Sequence, residues 1–248
     1  MSETVGIIGA GRFGRFWGRA LNRVYPVSLY DTDPACRSHI GESGVWADLD
    51  TCMQQSFVFL TIPISGIPDF LKAHARRLRS GSVILDCASV KLRVAEWFSE
   101  YLPDDVFYAL SHPLFGPDSA RTGLQGHRIT LMPGRIPLER YQHLVRLFRN
   151  MLSLQVINLS PEEHDRLMAY NLSLIHLLGR TGHKIELERL PLMMDSMKKL
   201  SSISKVVMND SEQLFRDFFR FNPYAREVSR NFLDSYSEIL RSVSGDAG

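Results

Sequence analysis

Cysteine is scarce in this sequence, and its pattern excludes several protein classes. The 248 residues contain three cysteines, Cys36, Cys52 and Cys87, an odd number with uneven spacing. This pattern provides neither a disulfide framework nor the paired cysteines of a zinc site. We therefore expect no metal centre, and we expect a reducing, cytoplasmic setting.

Long apolar runs and an excess of one charge are also missing. No apolar run approaches the roughly 20 residues that a membrane-spanning helix needs, and the start of the chain lacks the layout of a signal peptide. Lysine and arginine number 29 and the acidic residues 27, a net charge of +2, with the two signs interspersed. We expect a small-molecule substrate as the partner, with neither nucleic acid nor a membrane involved.

A glycine-rich turn follows the first predicted strand. The strand VGII leads directly into GAGRFG, and an amphipathic helix begins at once. In this context the spacing GxGxxG is typical of dinucleotide binding. The first glycine permits the turn, the second lets the backbone approach a pyrophosphate, and the third lets helix and strand pack closely. The predicted cofactor contacts are Gly9, Ala10, Gly11, Arg12, Phe13 and Gly14.

An acidic residue ends the second predicted strand. The strand VSLY is followed by Asp31, close to the offset of about 20 residues that the dinucleotide pattern expects. A carboxylate there accepts hydrogen bonds from the ribose hydroxyls and repels a 2′-phosphate. The sequence therefore predicts NAD as the cofactor, in preference to NADP.

Strands and helices alternate through the first part of the chain. The buried strands FVFLTIP, GSVILDCASVK and VFYAL are separated by helical stretches, and HRITLMPG and LQVINL complete the set. This alternation predicts an α/β fold, a Rossmann-type, doubly wound, mainly parallel sheet over residues 1–159. Because ligands of such sheets bind beyond the carboxyl ends of the strands, Pro63, Ser89 and His112 mark the candidate site.

The remainder of the chain, residues 160–248, is predicted to be an all-helical domain. The segment SPEE is a capping box with proline at the first helical position, and it predicts a long helix from Pro161 to Glu188. Further helices are expected between breaks near Pro191, residues 209–210 and residues 222–223. No strand pattern occurs in this part.

The helical domain is also expected to form a homodimer. Amphipathic helices with no sheet to cover need another surface for their apolar faces. The segment LFRDFFRF places four phenylalanines within eight residues, too many for a short exposed stretch.

The segment SHPLFGPDS follows the strand VFYAL. Two prolines and a glycine fix the backbone path, so the segment is predicted to be a shaped loop. A histidine on such a loop is either a packed structural residue or a positioned acid or base. Imidazole is the side chain best suited to accept a proton near pH 7, which makes His112 the candidate general base.

Four motifs together resemble one enzyme family. GAGRFG, DCASVK, HPLFGPDS and SPEEHDRLMAY occur in an order and at distances similar to those of the prephenate and arogenate dehydrogenases of tyrosine biosynthesis. The resemblance covers about residues 5 to 220 and implies NAD-dependent oxidative decarboxylation of prephenate or a close relative to an aromatic product. It implies His112 as the base, Ser89 as a donor that orients the hydroxyl or the cofactor carboxamide, and Asp118 as an acidic residue that tunes or gates the site.

The same resemblance implies substrate contacts in the helical domain. His176, twelve residues after His164, matches a histidine of the family's substrate pocket, and Ser173 replaces a second histidine found in one branch. The family's arginine that grips a substrate carboxylate precedes an Asp-Pro pair by five residues. Here Asp210 is followed by serine, and counting back five gives Lys205. We therefore expect Lys205 to contact the substrate.

Lysine in place of arginine leaves the substrate open, because an ammonium group lacks the planar two-point grip of guanidinium. Prephenate, arogenate (which carries an amino group on its side chain) and 4-amino-4-deoxyprephenate (which carries one on the ring) all fit the redox chemistry. Lys205 also favours a non-catalytic NAD-binding homologue, which the joint presence of His112, Ser89 and His176 disfavours. A third alternative, another Rossmann dehydrogenase such as an imine reductase, is disfavoured by the loop HPLFGP.

Overall fold

A computed structural model describes residues 3–245 of the chain. The chain forms two compact units, Met1–Pro161 and Glu162–Gly248, where the sequence placed the division after residue 159. The last three residues of the predicted helical domain lie outside the described range. Within that range, no helix is both long enough and apolar enough to cross a membrane.

One sheet runs through the first unit. Its strands in residues 3–245 are β1 (Val5–Ile8), β2 (Val27–Tyr30), β3 (Val45–Trp46), β4 (Phe57–Leu60), β5 (Val83–Asp86), β6 (Phe107–Pro113), β7 (Arg128–Pro133) and β8 (Gln155–Ile157). They are ordered β3-β2-β1-β4-β5-β6-β7-β8. All neighbours are parallel except β6 and β7. The order reverses between β1 and β4, so the ligand crevice of the sheet is expected beyond the carboxyl ends of these two strands.

Helices cover both faces of the sheet. They are α1 (Arg12–Leu21), α2 (Leu49–Met53), α3 (Ile67–His74), α4 (Leu92–Tyr101) and α5 (Leu138–Arg146). Successive residues of a strand point to opposite faces, so Phe57 and Phe59 join one core cluster while Val58 and Leu60 join the other. The mainly parallel α/β architecture predicted from the sequence is confirmed.

Strand β6 is longer than the sequence predicted. Its pairing with parallel β5 ends at Ala109, but on its other side antiparallel β7 continues the ladder and pairs Thr130 with His112 and Ile129 with Pro113. The expectation that the loop begins at Ser111 was therefore wrong, because a second strand partner holds the backbone extended. Strand β4 likewise ends at Leu60 rather than at Pro63.

In its described part, the second unit consists of helices and the connections between them, without strands. Its helices are α6 (Pro161–Met168), α7 (Leu174–Lys184), α8 (Asp195–Val207), α9 (Glu212–Phe221) and α10 (Ala225–Ser244). The breaks predicted near Pro191 and at residues 209–210 and 222–223 separate α7 from α8, α8 from α9, and α9 from α10. These predictions are confirmed.

The single long helix expected from Pro161 to Glu188 is interrupted and ends earlier, at Lys184. Residues Ala169–Ser173 form a π-helical turn, which inserts an extra residue into the helical repeat. As a result, Ser173 is fully buried while Leu172 is only partly buried. The buried face that leads into α7 therefore passes through Ser173 and not through Leu172.

The four phenylalanines of LFRDFFRF are not an exposed patch. Phe218 is 2% exposed, and the ring of Phe219 contacts those of Phe215 and Phe218 at centroid distances of 5.0 and 5.8 Å. Because α9 is amphipathic, these rings pack inside the helical unit. They therefore give no reason to expect a dimer, and that prediction must rest on other side chains.

Candidate active site

Close packing leaves no room for a side chain at two of the three glycines in the cofactor turn. Gly9 has a φ of +109°, and a Cβ on it would lie 2.7 Å from the carbonyl oxygen of Thr61; a Cβ on Gly14 would lie 1.8 Å from the Gly9 oxygen. The Thr61 hydroxyl donates to that Gly9 oxygen at 2.6 Å and fixes the turn against β4. A Cβ on Gly11, by contrast, would meet nothing within 4 Å. The backbone is therefore open at Gly11, the position where a pyrophosphate would approach.

Asp31 lies directly against this turn. Its Oδ2 accepts a hydrogen bond from the backbone N–H of Ala10 at 2.7 Å, and its Oδ1 accepts one from the N–H of Asp33 at 2.9 Å. The carboxylate beyond β2 is thus held next to the open position at Gly11. The turn and the carboxylate together fit a dinucleotide, the first for its pyrophosphate and the second for its ribose hydroxyls.

The other predicted cofactor contacts surround the turn. Phe13 is partly buried and lies against Trp17, with ring centroids 6.1 Å apart. Pro63 is exposed and precedes a short 3-10 turn at Ile64–Gly66. Arg12 is the first residue of α1.

Two contacts join the cofactor turn to the segment after β6. Arg12 donates to both carboxylate oxygens of Asp118, at 2.9 and 3.0 Å. Phe115 is buried and packs on Phe16 and Trp17 of α1 at centroid distances of 6.2 and 6.1 Å. The segment predicted to shape the site is therefore held on the helix that opens with the cofactor turn.

A fully buried ion pair lies under the carboxyl ends of β5 and β6. Lys91 pairs with Asp86, and both side chains are 0% exposed. The Lys91 ammonium also donates to the carbonyl oxygen of Ser111 at 2.7 Å, and Asp86 accepts from the Ser111 N–H at 3.1 Å. Burial raises the pKa of Asp86, and the charge of Lys91 and backbone donors oppose that rise. This network fixes the peptide groups of Ser111, the residue before His112.

The two predicted catalytic residues lie at the ends of neighbouring strands. His112 is 9% exposed and belongs to β6, and Ser89 follows β5 and is 8% exposed. The Ser89 hydroxyl is buried without a hydrogen-bond partner in the described protein, and such an orphaned group is typical of a site completed by a ligand. The arrangement provides a proton acceptor and a free hydroxyl at the edge where a dinucleotide would end.

A second cluster of polar side chains, around His176, lies in the helical unit. His176 of α7 is 5% exposed, and its ring packs on Phe215 at a centroid distance of 5.5 Å. Its Nε2 lies 3.6 Å from a carboxylate oxygen of Asp210, and its Nδ1 has no partner. Burial and then the charge of Arg180 lower the pKa of His176 to about 4, so the imidazole is neutral at pH 7.

The remaining predicted residues differ in exposure. The buried hydroxyl of Ser173 is also without a partner, whereas Lys205 is exposed on α8. His164 is fully buried, and its Nδ1 lies 2.8 Å from a carboxylate oxygen of Asp165. It therefore belongs to the packed interior of the helical unit.

The sequence assigned no role to three residues of these groups: Thr61, Lys91 and Arg180. A lysine five residues after the aspartate that ends the buried strand VILD was a signal for a buried ion pair, since lysine is rarely buried unpaired. Arg180 lies four residues after His176, so both share one face of the helix. Nothing in the local sequence marks Thr61.

Comparison with known proteins identifies the family. The family model described as "Prephenate dehydrogenase, nucleotide-binding domain" matches residues 17–151, more than half of the chain. The chain belongs to the prephenate dehydrogenase family. The resemblance carried by the four sequence motifs is thereby confirmed, and so is its assignment as a dehydrogenase.

Relatives within the prephenate dehydrogenase family span most of the chain. Arogenate dehydrogenase 2 of Arabidopsis thaliana is 26% identical over 97% of this chain and 70% of its own length. Arogenate dehydrogenase 1 of the same plant is also 26% identical over 97% of this chain, which spans 39% of that longer protein. The prephenate dehydrogenase of Aquifex aeolicus, solved with hydroxyphenyl propionate and NAD+, has a TM-score of 0.78 at 17% identity and covers 100% of this chain and 92% of its own. At that identity, the structural likeness establishes the fold.

Proposed function

We propose that this protein catalyses NAD-dependent oxidative decarboxylation of prephenate or a close relative. The observation that carries the proposal is the placement of buried His112 and the unpaired Ser89 hydroxyl at adjacent strand ends of the sheet that carries the cofactor turn. The solved relative whose title names NAD+ supports the cofactor. So does Asp31, which is held against the turn by Ala10.

The chain's own residues have clear tasks in this reaction. With prephenate or arogenate, His112 accepts the proton of the ring hydroxyl while the bond from the ring to its carboxylate breaks. Carbon dioxide leaves, the electron pair of that bond completes the aromatic system, and His112 returns the proton to the ring oxygen of the phenol product. NAD, when bound, supplies the acceptor for the hydrogen and two electrons that leave the ring carbon. Ser89 orients the hydroxyl or the cofactor carboxamide. Burial of both groups excludes water and strengthens these hydrogen bonds.

The helical unit is proposed to bind the rest of the substrate. Ser173, His176 and Lys205 retain the substrate contacts expected from the sequence, and Asp118 is proposed to control the site through Arg12. The acidic side chains of Asp210 and Glu212 lie against His176 and Arg180, which favours a substrate that also carries an ammonium group. Arogenate has one, and two Arabidopsis relatives are named as arogenate dehydrogenases.

The alternative of a non-catalytic NAD-binding homologue does not explain the buried network of Asp86, Lys91 and Ser111 next to His112. Asp86 and Lys91 hold the preceding peptide group at the cost of burying two charges, which alone gives little stability. Such an arrangement supports a positioned catalytic group over a passive cofactor sensor.

A rate assay tests the proposal. Unmodified protein should form NADH with at least one of prephenate, arogenate and 4-amino-4-deoxyprephenate. His112→Asn keeps a polar side chain but removes the base, so kcat should fall by about 10² to 10⁴ with a smaller change in KM. NAD affinity, measured by fluorescence titration, serves as the control and should stay unchanged. Full activity of His112→Asn on every substrate would contradict the assignment.

We further propose a homodimer formed through the helical unit and a reducing, cytoplasmic setting. The setting is supported by three cysteines that are all free. The dimer is supported by exposed apolar side chains on α10, namely Leu233, Tyr236, Leu240 and Val243.

A further inference from the structure

One face of α7, together with the last residue of the π turn before it, contains several buried donors and acceptors that have no partner among the described residues. The unpaired atoms are the Ser173 hydroxyl, Nδ1 of His176, and Nε and Nη2 of Arg180. The three residues are spaced three and four apart, so they lie on one side of the helix. Leaving a buried donor unpaired is costly, more so when the group is charged, and a cluster of four such atoms points to a ligand.

The guanidinium of Arg180 is fixed in orientation. Its Nη1 pairs with Glu212 at the start of α9, and its central carbon lies over the ring of Phe215, 4.2 Å from the centroid. The side chain is 16% exposed. An arginine held in this way needs little further ordering to bind a ligand.

The two unpaired nitrogens of Arg180 define the chemistry of that ligand. Nε and Nη2 lie on the same edge of the planar group, and their N–H bonds are parallel. This edge matches the two oxygens of a carboxylate, which arginine binds through two parallel hydrogen bonds. Glu212 occupies only Nη1, so the two-point edge is unused within the protein.

We propose that Arg180 binds a carboxylate of the substrate through Nε and Nη2, with Ser173 and His176 beside it. The proposal rests on the proposed function, whose candidate substrates carry two carboxylates each. The sequence assigned a cation to one of them, Lys205, and that lysine is exposed on α8. Arg180 provides the second cation, and it has the planar grip that lysine lacks.

The surrounding charges favour a carboxylate over a phosphate. Glu212 pairs with Arg180 and Asp210 lies 3.6 Å from Nε2 of His176, so two negative charges accompany the single positive charge of this cluster. Neutral His176 adds hydrogen bonding without charge. A group with one negative charge is therefore preferred to a dianion, and millimolar inorganic phosphate should not inhibit the enzyme.

Substitution of Arg180 tests the proposal, because loss of a substrate-binding group should raise KM and leave kcat nearly unchanged. Arg180→Gln should raise KM by about 10- to 100-fold, the usual effect of losing hydrogen bonds to a charged group, with kcat within about threefold of the original. Arg180→Lys should give an intermediate KM because it keeps the charge and loses the two-point grip. The matched control is Arg189→Gln, since Arg189 pairs with Glu186 but is 76% exposed; its KM should not change.

Product inhibition then distinguishes the two carboxylates of the substrate. Tyrosine and 4-hydroxyphenylpyruvate retain only the side-chain carboxylate. If Arg180 binds that group, their inhibition constants should rise in Arg180→Gln in parallel with KM. If Arg180 binds the ring carboxylate, these constants should not change while KM still rises. Either result supports the proposal.

A KM of Arg180→Gln within twofold of the unmodified protein, with the fold intact by urea denaturation, would overturn it. The proposal would also be overturned if inorganic phosphate inhibited the unmodified protein and this inhibition were lost in Arg180→Gln. Absence of NADH formation by the unmodified protein on all three substrates would instead refute the proposed function. In that case, calorimetric titration with 4-hydroxyphenylpyruvate tests the carboxylate site separately. Binding to the unmodified protein that is lost in Arg180→Gln supports the site. Absence of binding to the unmodified protein overturns it.

Discussion

At the scale of single residues, Asp31 should decide the choice of cofactor. Its carboxylate is held at the glycine turn by the N–H groups of Ala10 and Asp33, where a 2′-phosphate would meet its negative charge. Unmodified protein should bind NAD more tightly than NADP. Asp31→Ala should narrow that preference by about tenfold or more, since 1.4 kcal/mol of lost repulsion has this effect. Fluorescence titration with both cofactors measures it.

Asp33→Ala is the control for this experiment. Asp33 is exposed and its side chain accepts a hydrogen bond from the N–H of Ala35, so its loss should leave the cofactor preference intact. Equal affinity of the unmodified protein for NAD and NADP would show that Asp31 does not have this role.

The residues that could be predicted from the sequence are those whose structural requirement arises from neighbours close in the chain. Gly9 and Gly14 were predictable because a turn between strand and helix requires them within six residues of chain. The partners of Lys91 were not predictable in the same way, because the carbonyl group of Ser111 lies twenty positions away. Its contact exists only because β5 and β6 are neighbours in the sheet.

At the scale of elements, the errors arose where a neighbouring element overrides local sequence. Pro113 and Gly116 indicated a loop beginning at Ser111, but β7 extends the ladder through Pro113. A proline is tolerated there because β5 pairs with β6 only as far as Ala109, so Pro113 lies at a free edge of the strand. Similarly, the apolar pattern of residues 161–188 predicts a helix, and nothing in it indicates the π turn at Ala169–Ser173.

Each member of the buried Asp86–Lys91 pair should depend on the other for its effect on stability. Lys91→Met leaves the Asp86 carboxylate buried and unpaired, which should lower the free energy of unfolding by about 3 to 5 kcal/mol. The double variant Asp86→Asn with Lys91→Met removes both charges and should recover much of this loss. Urea denaturation of the single and double variants measures the difference.

Lys72→Met is a matched control for that series, because Lys72 lies on α3 with its ammonium 5.5 Å from the ring centroid of Tyr101. Its loss should cost less than about 1 kcal/mol. A single variant Lys91→Met as stable as the unmodified protein would mean that the buried pair does not hold the strand ends together.

At the scale of the whole molecule, the two units differ in how much apolar surface they leave uncovered. Eighteen large apolar side chains are exposed among the described residues, and fifteen of them belong to the helical unit. The sheet unit buries its apolar residues under helices on both faces. The helical unit has no sheet for its helices to cover, and a large number of exposed apolar side chains in one unit favours an interaction site.

The apolar stripe of α10 should therefore form the dimer contact. It consists of Leu233, Tyr236, Leu240 and Val243, which are 51–76% exposed and recur at intervals of three and four residues along one face of the helix. Sedimentation velocity at micromolar concentration should give twice the chain mass of 28.3 kDa. Leu240→Glu places a charge in the middle of the stripe and should shift the protein to a monomer, because burying an unpaired charge opposes association.

Ser242→Glu provides the control for the dimer prediction, since Ser242 lies on the opposite side of α10 and is exposed. It adds the same charge to the same helix and should leave the sedimentation coefficient unchanged. Circular dichroism should show equal helix content in both variants, so that a change in mass is not mistaken for unfolding. A monomeric unmodified protein, or a dimer that persists in Leu240→Glu, would show that α10 is not the contact and that these side chains are covered in another way.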